Sequence, residues 1–366
     1  MAALRAGVIG TGRQSGRTTG AAISHHHGKG YQALKGDVDF VACADIVREN
    51  AEIYAEQFGI PKSGIHTDYK EMLAKEKLDI VSICTWPHLH APMVIDCAAA
   101  KVPAIYCEKP MADSWGAAKR MHQACMVSGT KLAFSHQRRF SKVFRNARKL
   151  IDEGALGQLQ QVQFNCGDIY DFGTHCIDLC NYLNGERAAK WVMAQIDYRE
   201  LKVYFGAHVE NQALVQWEYE NGVYGLGSTG PAGGFVGALL KAVGSDGVFE
   251  VASLDPAAKD KPALRYRRFG KGDWEYVDTE GDGPHGGTFL ERAIADFVAH
   301  LKRGETNELS STHALRATEI IFAAYHSSRI SARVDLPLYV DNHPLVAMLE
   351  EGRMKPIPKP PEPTQK

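Results

Sequence analysis

The sequence predicts an N-terminal Rossmann-like parallel sheet followed by an α+β domain built on a large, mostly antiparallel open sheet. Over the first ~135 residues, short and continuously apolar runs alternate with helical stretches, as in strands that helices cover on both faces. Beyond that point the apolar runs lengthen and become rich in β-formers. A length of 366 residues also favours about two domains. The predicted divisions are 1–136, 137–340 and 341–366.

The first domain is predicted to hold five strands, each an apolar run bounded by turn residues. Helical stretches separate these strands, which is the pattern of repeated strand–helix–strand units. The predicted strands are 4–9, 39–44, 79–84, 103–107 and 131–135, and the predicted helices are 47–58, 69–76, 90–100 and 114–128.

The second domain is predicted to mix long strands with a few helices. Asn221-Gly222 predicts a hairpin because these residues tolerate positive φ. From Lys355 onward five prolines fall within twelve residues, so 341–366 is predicted to be an extended, proline-rich tail. The predicted helices are 140–153, 173–183, 287–302 and 311–328, and the predicted strands are 159–166, 189–198, 208–219, 222–229, 238–243, 247–252 and 263–268.

Composition excludes several classes of protein. Forty-two basic and 43 acidic residues give a net charge of −1, which argues against a bulk basic surface for nucleic acid. There is no run of 18 apolar residues, so no membrane span is predicted, and the N-terminus is interpreted as a strand rather than a signal peptide. The eight cysteines form no CxxC pair, so a reducing cytoplasm is the expected location.

A glycine-rich turn follows the first strand directly. Gly10, Thr11, Gly12 and Arg13 open this turn, and Ser15 stands at the third glycine position of the dinucleotide pattern. Glycines let the backbone approach a pyrophosphate, which the following helix N-terminus then holds. The turn therefore predicts a dinucleotide site, although an ordinary strand–helix loop remains the alternative.

Asp45 ends the second strand, where a carboxylate accepts hydrogen bonds from ribose hydroxyls and repels a 2′-phosphate. The expected cofactor is therefore NAD rather than NADP. Asp45 also suits the cap of the next helix, and the two roles are compatible. It follows Gly12 by 33 residues, against about 20 in the usual pattern. The extra residues predict an insertion, and the three consecutive histidines at 25–27 are predicted to lie there in a solvated loop.

The fifth strand ends in Glu108, Lys109 and Pro110. Ligands of open α/β sheets bind at the carboxyl ends of the strands, so Lys109 is predicted to point into that crevice. An ordinary lysine end-cap is the alternative. Pro110 predicts a fixed turn of the kind in which cis peptides occur.

Asp171, His175 and Asp178 are spaced to share one helix face. A buried histidine with a carboxylate partner is the alternative to a catalytic role. Cys176 and Cys180 fall on another face of the helix, so no metal site is predicted.

Taken together, these motifs resemble the Gfo/Idh/MocA family of nicotinamide-dependent sugar and polyol oxidoreductases. The resemblance spans nearly the whole chain, and relative to the common pattern Ser15 replaces a glycine, Trp86 separates Thr85 from Pro87 and Gln137 replaces an asparagine. The matching segments are the turn at 10–16, Asp45, Thr85-Trp86-Pro87 with His90, Glu108-Lys109-Pro110, Gln137-Arg138-Arg139-Phe140, and Asp171 with His175 and Asp178.

The resemblance implies hydride transfer between a secondary hydroxyl or ketone of a sugar, sugar derivative or cyclitol and the nicotinamide. It implies that His175 acts as the general base, that Lys109 stabilises the reacting oxygen and that Asp171 orients the substrate. Gln137 and Arg138 are implied on the substrate side, while Arg139 fits a structural ion pair equally well. The implied cofactor contacts are Gly10, Thr11, Gly12, Arg13, Asp45, Thr85, Pro87, His90, Glu108 and Lys109.

Two other functions stay open. One is glycoside cleavage through a transient 3-keto intermediate, with tightly bound NAD regenerated in place. The other is a non-enzymatic dinucleotide sensor, against which the retained Lys109, Asp171 and His175 argue. Because a large open sheet needs covering, a homodimer or homotetramer through the second domain is expected.

Overall fold

The computed structural model describes residues 3–12 and 23–358. The chain divides into two compact units, each of which is built from more than one segment. The first comprises Met1–Ser141 and His285–Leu315, and the second comprises Lys142–Pro284 and Arg316–Lys366.

Strands and helices alternate through the first 141 residues. In chain order they are β1 (Leu4–Ile9), α1 (Ile23–Ala33), β2 (Val38–Ala44), α2 (Arg48–Phe58), β3 (Ile65–His66), α3 (Tyr69–Lys75), β4 (Ile80–Ile83), α4 (Pro87–Ala99), β5 (Ala104–Cys107), α5 (Trp115–Ser128) and β6 (Lys131–Phe134).

The remaining residues add eleven strands and five helices to the described part of the chain. They are α6 (Lys142–Asp152), β7 (Leu159–Cys166), α7 (Gly173–Leu183), β8 (Ala189–Asp197), β9 (Val203–Tyr204), β10 (Ala207–His208), β11 (Gln212–Tyr219), β12 (Tyr224–Thr229), β13 (Ala238–Gly244), β14 (Gly247–Ser253), β15 (Leu264–Arg268), β16 (Glu275–Val277), α8 (Thr288–Arg303), α9 (Ser311–Ile330), β17 (Val334–Asp335) and α10 (Pro344–Glu350).

The first unit is a doubly wound sheet. Its six strands are all parallel and lie in the order β3-β2-β1-β4-β5-β6. Strands β4 and β5 are buried along their whole length, which explains their unbroken apolar runs. The order reverses between β1 and β4, and ligands of such folds bind at the carboxyl ends beside this reversal. The predicted fold class is confirmed for this unit.

Helix α1 corrects one expectation. The triplet predicted as a solvated loop lies in this helix, with His25 and His27 buried. Two glycines let the helix pack closely, since a Cβ at Gly28 would come within 2.5 Å of the Phe58 ring and one at Gly30 within 2.9 Å of Ile294. Glycine disfavours helices, so the two glycines that this close packing requires weaken the helical signal in the sequence.

The second unit is built on a nine-stranded sheet of order β16-β15-β14-β13-β7-β12-β11-β8-β17. Every neighbouring pair is antiparallel except β7 and β12, so the predicted mostly antiparallel sheet is confirmed. The hairpin joining β11 and β12 is also confirmed, and Gly222 has φ of 80° there.

The predicted extended tail over 341–366 is interrupted by helix α10. Pro344 occupies its first position, where a missing N–H costs nothing, and Leu345 and Met348 are buried. This part of the expectation is therefore wrong, and residues 359–366 lie outside the described residues. Within residues 3–12 and 23–358, none of the helices has the length and apolar character needed to cross a bilayer.

Candidate active site

The turn after β1 begins with two glycines in the left-handed region of the backbone. Gly10 and Gly12 have φ of 84° and 59°, values that disfavour other residues. A Cβ at Gly10 would lie 2.8 Å from the Cys84 carbonyl oxygen and 2.8 Å from the Thr85 side chain. Both glycines are therefore needed for the described part of the turn, and its contact with a dinucleotide stays a prediction. Arg13, predicted to contact the cofactor, lies outside the described residues.

Asp45 lies at the tip of β2 and holds this turn. Its Oδ2 accepts hydrogen bonds from the Thr11 and Gly12 amides at 2.9 and 3.1 Å and from Thr11 Oγ1 at 3.1 Å. Its Oδ1 accepts from the Val47 amide at 2.9 Å, just before α2 begins. Thus Asp45 joins the glycine turn to the start of the next helix, while the ribose contact stays a prediction.

His90 connects two predicted cofactor segments. Its ring nitrogens lie 3.0 Å from the carbonyl oxygens of Thr85 and Pro110, and the ring is fully buried. Burial lowers the pKa of His90 more strongly than these carbonyls raise it. Pro87 begins α4 beside Thr85. His90 therefore ties the loop after β4 to the turn that contains Lys109.

Glu108 lies buried at the end of β5. Its Oε1 accepts a hydrogen bond from His27 Nε2 at 2.8 Å, and its Oε2 accepts from the Lys109 amide at 3.2 Å. Burial raises the pKa of Glu108, but the His27 hydrogen bond and attraction to His27 and Lys109 outweigh it and leave the pKa below its usual value. An ionised carboxylate thus lies next to Lys109. The Lys109–Pro110 bond is cis, which confirms the predicted turn.

His27 was not among the predicted site residues. Its Nδ1 lies 3.0 Å from Ser82 Oγ, which lies 2.7 Å from the Tyr31 hydroxyl. These contacts fix the imidazole beneath the carboxyl ends of β4 and β5. Glu108 is 81 residues away in sequence, so the only sequence signal was the presence of a histidine in the insertion.

The segment Gln137–Phe140 forms a short 3₁₀ turn after β6. Arg139 is buried and donates to the Glu308 carbonyl oxygen at 3.2 Å, so a structural role suits it. Burial, followed by the nearby charge of Arg138, lowers the pKa of His285. The substrate contacts of Gln137 and Arg138 remain predictions.

In the second unit, α7 has the predicted bounds and carries His175 and Asp178, both buried. Asp171 lies just before the helix, so the expected helical spacing holds only for the other two residues. The backbone nevertheless enters the helical region at Phe172, with φ of −82° and ψ of −40°. Asp171 and His175 therefore belong to one turn-and-helix segment.

Asp168 anchors this segment and was missed. Its Oδ1 accepts from the amides of Asp171 and Phe172 at 2.5 and 3.2 Å. A Cβ at Gly173 would lie 2.4 Å from the Asp168 carbonyl oxygen, so glycine is needed there. An aspartate a few residues before a helix is a known capping pattern, and that was the available signal.

Each unit thus gathers its own set of predicted residues. The first unit brings the glycine turn together with Asp45, and Thr85 and His90 together with the Lys109 turn. The second unit places Asp171 and His175 on one segment.

Two family models match the chain. The model described as "Oxidoreductase family, NAD-binding Rossmann fold" matches residues 4–136. The model described as "Oxidoreductase family, C-terminal alpha/beta domain" matches residues 160–336. Together they cover most of both units.

Curated relatives include dehydrogenases of cyclitols and sugars. A myo-inositol 2-dehydrogenase of Thermotoga maritima is 24% identical over 198 residues, which is 50% of this chain and 55% of that enzyme. The chain therefore matches about half the length of that relative. A D-apiose dehydrogenase of Paraburkholderia graminis is 22% identical over 364 residues, covering 91% of this chain and 92% of that enzyme.

Solved structures share the whole architecture. A levoglucosan dehydrogenase in complex with NADH and levoglucosan matches with a TM-score of 0.73 at 20% identity, covering 92% of this chain and 100% of that one. The WlbA dehydrogenase of Bordetella pertussis, in complex with NADH and UDP-GlcNAcA, matches with a TM-score of 0.71 at 20% identity, covering 92% and 99%. At these identities the likeness shows the fold alone.

Proposed function

The chain belongs to the Gfo/Idh/MocA oxidoreductase family, and from this premise we propose that it is an NAD-dependent dehydrogenase of a sugar, sugar derivative or cyclitol. The observation that carries the proposal is the end of β5. There Lys109 follows a buried, ionised Glu108 at the carboxyl edge of a doubly wound sheet. A cation beside that edge suits stabilisation of a reacting oxygen.

We propose that the glycine turn, Asp45 and the loop after β4 bind the dinucleotide. Bound NAD⁺ would supply the hydride acceptor. The positive φ at Gly10 and Gly12 supports close approach of a pyrophosphate. The carboxylate of Asp45 favours NAD over NADP because a 2′-phosphate would meet a like charge.

We propose that His175 takes the proton from the substrate hydroxyl. The unperturbed pKa of an imidazole lies near working pH, which suits it to this step. Lys109 donates a hydrogen bond to the same substrate oxygen and stabilises its developing negative charge. Asp171 orients the substrate, and Gln137 and Arg138 contact it. These roles require Lys109 and His175 to reach one oxygen.

The substrate class rests on the relatives. One relative is a myo-inositol 2-dehydrogenase and another a D-apiose dehydrogenase, while a structural neighbour binds levoglucosan. All these compounds carry several hydroxyl groups. We therefore propose a polyhydroxylated substrate oxidised at a secondary hydroxyl.

The test is a panel of myo-inositol, D-glucose, D-apiose, levoglucosan and nitrophenyl glycosides, each with NAD⁺ and with NADP⁺. Absorbance reports NADH, and released nitrophenol reports glycoside cleavage. NADH formed with a sugar or cyclitol supports the proposal. Nitrophenol without net NADH would instead establish redox-assisted glycoside cleavage. NADH binding without turnover of any compound would leave a dinucleotide sensor and overturn the proposal.

We also propose that the protein is a homodimer or homotetramer in a reducing cytoplasm. The outward face of the nine-stranded sheet exposes large apolar side chains, among them Met193 and Leu214, which are each about half exposed. Such a face favours burial against another copy. All eight cysteines are free, as a reducing compartment requires.

A further inference from the structure

Two buried carboxyl groups hold the turn between β7 and α7. Asp168, 3% exposed, lies in the turn and accepts from the Asp171 and Phe172 amides. Glu210, fully buried, comes from the loop between β10 and β11, and its Oε1 accepts from the Ile169 amide at 2.7 Å. The backbone that leads into α7 is therefore held by carboxyl oxygens at three amides, those of Ile169, Asp171 and Phe172.

Glu210 also joins this turn to two other elements. The Thr229 hydroxyl at the end of β12 donates to its Oε1 at 3.0 Å. The buried Tyr325 hydroxyl of α9 donates to its Oε2 at 2.7 Å. Each oxygen of this one side chain thus has a donor from a different part of the second unit, so a shift of Glu210 would shift the turn.

Lys202 provides positive charge at the same place. Its Nζ donates to the carbonyl oxygens of Gly167 and Glu210 at 3.0 and 3.2 Å. It therefore binds the backbone on both sides of the carboxyl pair. Asp171, a third acid, lies close enough to Asp168 to raise the pKa of that group further. The carboxyl groups here outnumber this one cation.

We propose that Asp168 and Glu210 are positioning residues whose carboxyl groups, through the Ile169, Asp171 and Phe172 amides, hold Asp171 and His175 in their active pose. This inference rests on the proposed function, since it gives the pose a catalytic purpose. Asp168 acts through the Asp171 and Phe172 amides just before α7, and Glu210 acts through the Ile169 amide. Neither is assigned contact with substrate.

Electrostatics favour a single proton held jointly by Asp168 and Glu210, called here the shared proton. Burial, followed by the charge of Asp168, raises the pKa of Glu210 to about 7. Burial and the charge of Asp171 also raise the pKa of Asp168, against the lowering effect of Lys202. Two negative charges in one buried site repel each other, so the pair favours one proton, which leaves as pH rises through about 7.

The neighbouring titratable groups do not replace this proton. Tyr325 stays protonated because burial and the charge of Glu210 raise its pKa. His343, stacked on Tyr325 with ring centroids 5.3 Å apart, stays neutral because burial lowers its pKa to about 3. Burial also lowers the pKa of His208. The titratable and charged groups next to the pair are Asp171, Lys202, Tyr325 and Cys166, whose thiol pKa burial raises. Tyr170, His343 and His208 lie one contact further away.

The kinetic test compares Glu210→Gln and Glu210→Ala with the wild type from pH 5.5 to 9.5, using NAD⁺ with myo-inositol, or with D-glucose if myo-inositol gives no NADH. The wild type should lose turnover as the shared proton leaves at alkaline pH. Glu210→Gln keeps neutral acceptor and donor atoms, so its alkaline loss should disappear. Glu210→Ala should lose about 10²-fold in kcat through misplacement of the turn, with the KM for NAD⁺ nearly unchanged. Glu218→Gln, on the same sheet, is the matched control and should behave as wild type.

A second measurement needs no substrate. Amide hydrogen exchange of residues 169–175 is compared at several pH values after correction for intrinsic rates. Protection in the wild type should fall as pH rises through 7, and Glu210→Gln should show no such fall. This arm separates the two proposals, because a wild type that oxidises no compound but shows this pH-dependent protection contradicts only the proposed function. An unchanged alkaline limb in Glu210→Gln, or protection identical in wild type, Glu210→Gln and Glu210→Ala, overturns the inference.

Discussion

Lys109 and His175 are the two residues on which the proposed proton chemistry depends. We expect Lys109→Met and His175→Ala each to lower kcat by about 10²–10⁴-fold, the usual range for loss of general acid–base assistance. The reason is that the first variant loses the cation beside the reacting oxygen, and the second loses the base. NADH formation followed by absorbance measures the effect.

The control for these variants is nucleotide binding. NADH fluorescence titration should give similar affinities for His175→Ala and the wild type, because His175 is not among the predicted cofactor contacts. In Lys109→Met the backbone hydrogen bond to Glu108 is kept, so any loss of NADH affinity should be small beside the loss in kcat. Turnover near the wild-type rate in both variants would show that neither residue has the proposed role.

Asp45 combines two roles that two substitutions separate. Asp45→Ala removes both the negative charge and the hydrogen bonds to the Thr11 and Gly12 amides. Asp45→Asn removes the charge and keeps one oxygen that can accept from those amides, while its NH₂ group replaces the oxygen that accepts from the Val47 amide. We expect both variants to discriminate less against NADP⁺, and only the alanine variant to bind NAD⁺ much more weakly. Steady-state KM values for the two nucleotides test this, and unaltered discrimination in Asp45→Asn would show that the charge does not select the cofactor.

Candidate site residues at the ends of strands could be predicted from the sequence. Residues that support the site through partners distant in sequence could not. Asp45 and Glu108-Lys109 follow buried strands, and that position by itself indicated a site. Glu210 gave no such signal because its partner amide at Ile169 is 41 residues away and joins it only through the sheet. The predicted site residues therefore stay predictions, and their supports His27, Asp168 and Glu210 were missing from them.

At the scale of elements, helix α1 is tied to the sheet through buried side-chain contacts, among them the hydrogen bond from His27 to Glu108. We expect His27→Ala to lower the free energy of unfolding by about 3 kcal/mol, because it leaves the buried Glu108 carboxylate without this donor. Urea unfolding at pH 7 measures the change. His27→Gln, which keeps a donor, should lose less.

His88→Ala is the matched control, since His88 is exposed on α4. Its effect should stay within about 0.5 kcal/mol, as is usual for surface substitutions. If His27→Ala proved no more destabilising than His88→Ala, the His27–Glu108 hydrogen bond would not anchor α1.

Elements with a strong hydrophobic period were predicted nearly to the residue, as β1, β7 and α7 show. The exceptions have physical causes. Strand β3 has two residues, too few for a period to emerge. Helix α1 has glycines and histidines at positions where a helix usually has large apolar residues, because Phe58 and Ile294 fill the space beside it.

For the whole molecule, the carboxyl pair predicts a pH-dependent stability. The pKa of Glu210 is raised from 4.5 to about 7, so the folded state holds a proton that the unfolded state has released. Its stabilising contribution is complete below about pH 4.5 and is lost as pH rises to about 7, by about 3 kcal/mol in total. Urea unfolding from pH 4.5 to 8 should show this loss in the wild type relative to Glu210→Gln. A constant difference between the two proteins would contradict it.

The open face of the nine-stranded sheet predicts self-association. Leu214→Glu and Met193→Glu place charges on that face, so each should shift the protein to smaller species in sedimentation-velocity experiments. Met126→Glu introduces the same charge at an exposed position of α5 and should leave the assembly unchanged. Identical sedimentation for all three variants and the wild type would place the interface elsewhere.

The change in apolar pattern after residue 136 predicted the two-part architecture. It did not predict which unit helix α8 belongs to. Helix α8 follows the β-rich region in sequence, yet Phe289, Ile294 and Phe297 belong to the apolar core of the first unit, with Val8 and Tyr106. An amphipathic helix shows which of its faces is buried, but not which sheet buries it.

Because the chain returns to the first unit at α8, a truncated or recombined protein needs both segments of that unit. The polypeptide passes between the units three times, after residues 141, 284 and 315. A fragment ending near residue 141 would expose the surface that α8 covers, and would be expected to aggregate. A chimera that exchanges the dinucleotide half with another family member must therefore transplant two separate pieces of gene, 1–141 and 285–315, together.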